Sequence, residues 1–208
     1  MSVRLFDLRA IGSHAATIWV GQLAVMAFAI TDTLVAGRYA PEALAALSVG
    51  TAIYISIYVG LQGFVQALLP IWAQLHGAGK ALRLGYSVRQ SLYVTAVCAV
   101  LGMAVLLQGG MLMRLVGVPP ALQPVVSDYL AIQALTLPLA LLARVFNTFS
   151  QSIGRPQWVT GLQAGGLLLK IPLSIWFTFG GLGVPAMGLA GCALATLLAH
   201  VVLLVLMA

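Results

Sequence analysis

Long apolar runs separated by short polar, glycine-rich or proline-containing turns dominate this chain. A helix that crosses the roughly 30 Å hydrocarbon core of a bilayer needs about 20 residues, and six of the runs reach that length. They lie at residues 11–36, 43–75, 87–108, 125–146, 157–180 and 184–208. The pattern predicts an all-α membrane protein folded as a single bundle of six transmembrane helices.

Composition supports the same interpretation. The 208 residues are 62% hydrophobic and 7% charged, whereas a soluble domain carries about 25% charged residues. The chain therefore cannot cover a water-facing surface and is expected to lie in a lipid bilayer. Its net charge of +6 does not indicate nucleic-acid binding, because basic patches interleaved with aromatic residues are absent from the sequence.

Lysine and arginine positions predict the orientation, because cytoplasmic loops carry an excess of basic residues. With the N-terminus in the cytoplasm, Arg38 and Arg114 flank the outer side, and a larger basic set flanks the inner side. That inner set is Arg4, Arg9, Lys80, Arg83, Arg89 and Arg155. The N-terminus is thus predicted to be cytoplasmic. The last run ends at Ala208 without a polar flank, which suggests a truncated sequence.

Motifs for catalysis or metal binding are not evident. The histidines His14, His76 and His200 fall in three different runs, form no HExxH pair and have no acidic neighbours at ligand spacing. The sequence contains no G-x-S-x-G nucleophile elbow. We therefore expect a protein that is not an enzyme and that has neither a metal site nor an organic cofactor.

Charged residues within the apolar runs are the first candidates for function. Asp32 follows about 20 uncharged residues, and a charge at the bilayer centre costs roughly 2.5–3.5 kcal/mol on insertion scales. Lys170 lies near the middle of the fifth run, where a facing carboxylate would compensate its ammonium. Straight, untilted helices would leave the two residues more than about 10 Å apart in height. Asp32 could instead lie near the outer surface beside Arg38 or water, so both alternatives stay open.

The other polar residues within the runs are amides and hydroxyls. Interhelical hydrogen bonds, worth about 0.6 kcal/mol per pair on average, explain many such residues without any ligand. The alternative is that they line a cavity. The residues concerned are Gln22, Gln62, Gln66, Asn147, Gln163, Ser174 and Thr196.

Several segments resemble the multidrug and toxic compound extrusion (MATE) family. Residues 31–38, with the sequence TDTLVAGR, and the LAAL that follows at 44–47 are similar to the end of that family's first helix. Residues 61–80 resemble its second helix and cytoplasmic turn in the NorM-like branch. The match continues at 89–90, 128–130, 154–156 and 188–196, so it covers essentially the whole chain.

The resemblance implies one lobe of a twelve-helix antiporter built from two six-helix lobes. Such a protein would lie in the inner (plasma) membrane and export bulky, often cationic organic compounds by alternating access, in exchange for protons or sodium. The expected partners are therefore the bilayer, small organic molecules, and either a C-terminal lobe or a second copy of this chain. A homodimeric half-transporter and a non-functional truncated product are the alternatives.

The resemblance also implies a cation site. In the family, this site combines an Asp on the first helix, an Asn and a second Asn or Asp four residues apart on the fifth, and a Thr on the sixth. Asp32 and Thr196 match, whereas Lys170 and Ser174 occupy the fifth-helix positions, one turn apart on one face, and depart from the pattern. A lysine there would repel sodium. We therefore expect no sodium site, with Asp32 alternating between Lys170 and a proton or a cationic substrate.

Overall fold

Six membrane-length helices and one short helix make up the described chain. The computed structural model describes residues 5–181, 183 and 185–207, with the backbone alone at residues 5–11, 13, 14 and 18. The helices are α1 (Leu5–Tyr39), α2 (Pro41–Gly77), α3 (Ala81–Leu107), α4 (Gly109–Val116), α5 (Gln123–Ser152), α6 (Pro156–Phe179) and α7 (Leu189–Met207). All except α4 are long and apolar enough to cross a membrane. The predicted six-helix membrane bundle is confirmed.

The helix bounds differ from the apolar runs at several ends. Helix α5 extends to Ser152, because backbone hydrogen bonding continues beyond the apolar run that ends at residue 146. The short helix α4 was not predicted. Its eight residues end at Val116, and the next residue, Gly117, adopts a left-handed conformation with φ of 73°. The sixth run was expected to cover 184–208, but α7 begins only at Leu189. Residues 184 and 208 lie outside the described part of the chain.

Helix α5 is the central helix, and α2 runs parallel to it. Thr51 contacts Tyr129 through their hydroxyls at 3.2 Å. Further along both helices, Gln66 bonds to Arg144, and the rings of Trp72 and Phe149 meet edge to face. These pairs keep a nearly constant spacing of about 78 positions between the two helices, so the helices share one direction and register.

A second group is formed by α1, α6 and α7. Thr160 in α6 donates to the backbone carbonyl of Thr17 in α1, and the rings of Phe179 and Tyr39 meet near the other ends of the two helices, so α1 and α6 are parallel. Helix α7 returns antiparallel. At Gly191 an added Cβ would lie 2.5 Å from the backbone of Phe177, so only glycine permits this close crossing.

The basic residues used to predict the orientation fall at defined places in this bundle. Lys80 and Arg83 lie exposed at the α2–α3 turn, and Arg155 lies exposed at the α5–α6 turn. Both turns are at the end of the bundle where Trp72 meets Phe149. Arg4 and the side chain of Arg9 lie outside the described residues.

Candidate functional site

An ion pair joins α1 and α6 inside the bundle. The Nζ atom of Lys170 donates to Oδ2 of Asp32 at 2.8 Å. The Lys170 side chain is 1% exposed and that of Asp32 is 13% exposed. The structure therefore gives the lysine the facing carboxylate that its burial requires.

The register between α1 and α6 explains how the two residues meet despite their different depths in the sequence. Thr17 lies level with Thr160, which places the backbone of Lys170 about one turn below Asp32 along α1. The lysine stem then covers the remaining height, since long side chains can carry their charged head away from their own Cα level. Untilted helices that begin at the same height would not allow this contact.

Further contacts hold the ammonium group of Lys170 in place. Nζ also donates to the backbone carbonyl of Phe28 at 3.1 Å, and it lies 4.7 Å from the centroid of the Phe28 ring. The other carboxylate oxygen of Asp32, Oδ1, is buried and has no hydrogen-bond partner among the described residues. Asp32 thus keeps one buried oxygen that can accept a proton or a hydrogen bond.

The ion pair lies in the wall of a cavity of about 490 Å³ between α1, α2, α5, α6 and α7. A cavity of this size can hold a drug-sized compound, because ligand sites typically enclose about 300–1,000 Å³. Among its lining residues are candidates from the sequence: Gln22, Asp32, Gln62, Asn147, Gln163, Lys170 and Thr196.

Two candidate residues lie beside the cavity instead of in its lining. Gln66 accepts a hydrogen bond from Nη2 of Arg144 at 2.8 Å. Ser174 is fully buried on the same face of α6 as Lys170, and its hydroxyl has no partner among the described residues. Sequence spacing predicts the face of the helix on which a residue lies. It does not predict which neighbouring helix covers that face, so the sequence could not show that these two residues lie outside the lining.

Thr196 and His200 are the polar residues in the α7 part of the wall. The Thr196 hydroxyl donates to the Cys192 carbonyl at 3.0 Å, one turn back along the same helix. Nδ1 of His200 lies 2.8 Å from the Thr196 carbonyl. Since a carbonyl only accepts, Nδ1 carries the proton in a neutral ring, and Nε2 remains free to accept. The His200 ring also meets Phe28 edge to face.

Sequence reasoning missed several cavity residues, of which Arg144 is the most consequential. It lies two positions before the predicted end of its run, where a basic residue resembles a membrane-edge anchor. Its charge within the apolar run could have marked it under the rule that selected Asp32 and Lys170. The aromatic wall was also missed: Tyr54 and Tyr58 stack with their ring centroids 5.8 Å apart.

No group of three or more His, Cys, Asp or Glu side chains that could hold a metal ion occurs among the described residues. The side chain of His14 lies outside them. The expected lack of a metal or organic cofactor therefore stays a prediction.

Comparison with known proteins identifies the family of this chain. The sequence profile of the MatE family matches residues 18–176, a range that contains both partners of the ion pair. The chain belongs to the MatE family. Members of this family are multi-pass membrane proteins, which agrees with the six membrane-length helices.

Curated relatives in the MatE family carry drug-resistance names. The chain is 35% identical over 183 residues to the probable multidrug resistance protein NorM of Aromatoleum aromaticum, covering 88% of this chain and 40% of that protein. It is 36% identical over 193 residues to the multidrug resistance protein PmpM of Pseudomonas aeruginosa, covering 91% and 40%. The chain thus spans less than half the length of these relatives.

Solved structures show the same fold. The MATE transporter VcmN of Vibrio cholerae, in its bent form, superimposes with a TM-score of 0.86 at 20% identity, over 96% of this chain and 45% of that one. The expected resemblance to the MATE family is therefore confirmed in both sequence and fold.

Proposed function

We propose that this chain forms one lobe of a cation-coupled exporter of bulky organic compounds that works by alternating access. The observation that carries this proposal is the buried Asp32–Lys170 ion pair in the wall of a drug-sized cavity. The names of the NorM and PmpM relatives support the drug-export role. The proposed location is the inner membrane with the N-terminus in the cytoplasm, in accordance with the positive-inside rule.

In this proposal, Asp32 is the coupling residue. While it is ionised, it holds Lys170 and so ties α1 to α6 through the 2.8 Å contact. A proton that binds the carboxylate removes the charge attraction and so weakens the tie between α1 and α6. A cationic substrate that reaches Asp32 competes with both Lys170 and the proton, so substrate and proton occupy the site in turn.

The coupling ion in this proposal is a proton and not sodium. Sodium requires several oxygen ligands, whereas the ammonium of Lys170 offers only donors and a positive charge. It already occupies Oδ2 of Asp32 and the carbonyl of Phe28. A sodium ion would have to displace a cation that is covalently attached to the protein.

Transport driven by an imposed gradient tests this mechanism. In membrane vesicles from cells that produce the protein, an imposed pH gradient should drive dye export, and an imposed sodium gradient should not. Asp32→Asn should abolish the flux, while Asp128→Asn, an exposed acid near the start of α5, should leave it unchanged. Stoichiometric sodium binding that is lost in Asp32→Asn would contradict the proposal.

The second lobe in this proposal is either a C-terminal six-helix lobe or another copy of this chain. The two six-helix lobes of a MATE transporter have the same orientation in the membrane, so a homodimer of this chain is topologically possible. Crosslinking in native membranes separates the two cases, because a homodimer gives a discrete band at twice the mass of the chain. A lobe that does not pair with itself gives no discrete band at that mass.

A further inference from the structure

We infer that Arg144 forms an anion subsite in the cavity, and that it selects organic compounds which carry a carboxylate beside an aromatic ring system. This inference rests on the proposed function, because it names a substrate class for the same cavity. It concerns the part of the cavity formed by α1, α5 and α6, near Gln22, Asn147 and Gln163.

Arg144 is a cation without a carboxylate partner among the described side chains. The one salt bridge found within 4.0 Å in the described residues is that of Asp32 with Lys170. The remaining described acids, Glu42 and Asp128, are exposed at helix starts and do not belong to the cavity lining. Since Asp32 and Lys170 neutralise each other, the cavity wall retains the positive charge of Arg144.

The guanidinium also has unused hydrogen-bonding capacity. It carries five N–H donors, and its described hydrogen bond is the one from Nη2 to Gln66 Oε1 at 2.8 Å. Nε is buried and has no partner among the described residues. Gln66 thus orients the group without neutralising it, and a planar carboxylate matches the donor geometry of a guanidinium.

Asn147, which lies beside Arg144, adds free donors to this part of the cavity. Oδ1 of Asn147 already accepts from Nε2 of Gln151 at 2.6 Å, so the Asn147 amide nitrogen keeps its two N–H groups for another partner. Arg144 and Asn147 line both the main cavity and a smaller recess of about 20 Å³. The uncompensated charge of Arg144 and the free N–H groups of Asn147 together favour an anionic group over a cationic one.

The stacked rings of Tyr54 and Tyr58 in the same cavity provide the surface for an aromatic body. A compound with a flat ring system could lie against these tyrosines while its carboxylate binds Arg144. A purely structural role for Arg144 predicts a different outcome: it would require only the hydrogen bond to Gln66, and ligand charge would have no effect.

A matched pair of dyes tests the subsite. Rhodamine 110 has a free carboxylate, and rhodamine 123 is its methyl ester, so the two share one ring system. Binding of each dye to the chain in lipid nanodiscs is measured by fluorescence polarisation for the wild type, Arg144→Gln and Arg144→Lys. Arg83→Gln, at an exposed arginine in the first turn of α3, serves as the matched control.

We expect Arg144→Gln to raise the dissociation constant of rhodamine 110 by about tenfold, which corresponds to the loss of one charge-assisted hydrogen bond. The dissociation constant of rhodamine 123 should change by less than about twofold. Arg144→Lys should recover part of the loss, because it restores the charge without the planar fork. Arg83→Gln should match the wild type for both dyes.

Other outcomes would contradict the proposal that Arg144 forms an anion subsite. Equal weakening of both dyes in Arg144→Gln would show a structural role, and unchanged binding of both would show no role. If the wild type binds the ester and not the free acid, the subsite is wrong while the proposed export function stands. If the wild type binds neither dye, the subsite and the proposed drug-binding cavity fail together.

Discussion

Lys170 Nζ and Asp32 Oδ2 lie 2.8 Å apart although the two residues are 138 positions apart in the sequence. The contact joins two parallel helices, and it places the charged pair on the wall of the cavity. Removal of either charge from water costs free energy, and each charge is compensated chiefly by the other. The pair is therefore both a structural tie and the place where a proton or a cation can act.

Removal of one partner should destabilise the bundle more than removal of both. Lys170→Met leaves the Asp32 carboxylate without its counter-charge, and Asp32→Leu leaves the ammonium alone, at a cost of about 3–5 kcal/mol each. The double variant Asp32→Leu/Lys170→Met should lose clearly less than the sum of the single losses. Thermal unfolding in detergent micelles measures all three variants. Additive losses would show that the two residues do not interact energetically.

A sodium site should appear when the oxygen ligands typical of the MATE pattern are restored on α6, the fifth membrane-spanning helix. Lys170→Asn with Ser174→Asp removes the attached cation and adds oxygen ligands one turn apart, beside Asp32. We expect stoichiometric binding of radioactive sodium to this double variant and none to the wild type. Lys80→Asn, at an exposed lysine between α2 and α3, is the control and should bind no sodium. A double variant that folds but still binds none would count against the cation-site assignment.

The α6–α7 crossing should not tolerate even one added methyl group at Gly191. A Cβ there would lie 2.5 Å from the Phe177 backbone, and overpacking of this kind costs about 1–3 kcal/mol. At Gly161, in α6, a Cβ meets nothing within 4 Å, so Gly161→Ala should be neutral or stabilising by up to about 1 kcal/mol. Unfolding temperatures of Gly191→Ala and Gly161→Ala compare the two positions directly, and equal values would refute the close crossing.

Gln66→Glu should reverse the dye preference of the cavity. The substitution keeps the shape of the side chain and puts a carboxylate at the oxygen that accepts from Arg144. The new ion pair would neutralise the guanidinium, so rhodamine 110 should bind more weakly and rhodamine 123 at least as well as to the wild type. The same polarisation assay measures both affinities. Tighter binding of the free acid would contradict the assignment of Arg144 as its partner.

Much of the fold was predictable because membrane insertion depends on local properties of the chain. Backbone groups in lipid must be hydrogen-bonded within their own segment, so a long apolar run implies a helix whatever its neighbours are. The short helix α4 escaped prediction because eight residues cannot cross the bilayer. The true end of α5 at Ser152 escaped because hydropathy marks the edge of the lipid and not the end of helical hydrogen bonding.

The site was only partly predictable. A single sequence shows which residues are polar within an apolar run, but it does not show which residues of different helices come into contact. Asp32, Lys170 and Thr196 stood out because each is polar within an apolar run, which one sequence can show. Whether Asp32 and Lys170 meet depends on the offset between α1 and α6, which is set by packing at positions such as Thr17 and Thr160.

The sequence by itself determined the membrane bundle, the candidate charges and the resemblance to the MATE family, since hydropathy and motifs are written along one chain. The tertiary structure alone decided which charges are neutralised. It paired Lys170 with Asp32, and among the described residues it gave Arg144 the neutral Gln66 as its partner. That difference arises because the energy of a buried charge depends on the side chains that neighbouring helices bring within a few ångströms.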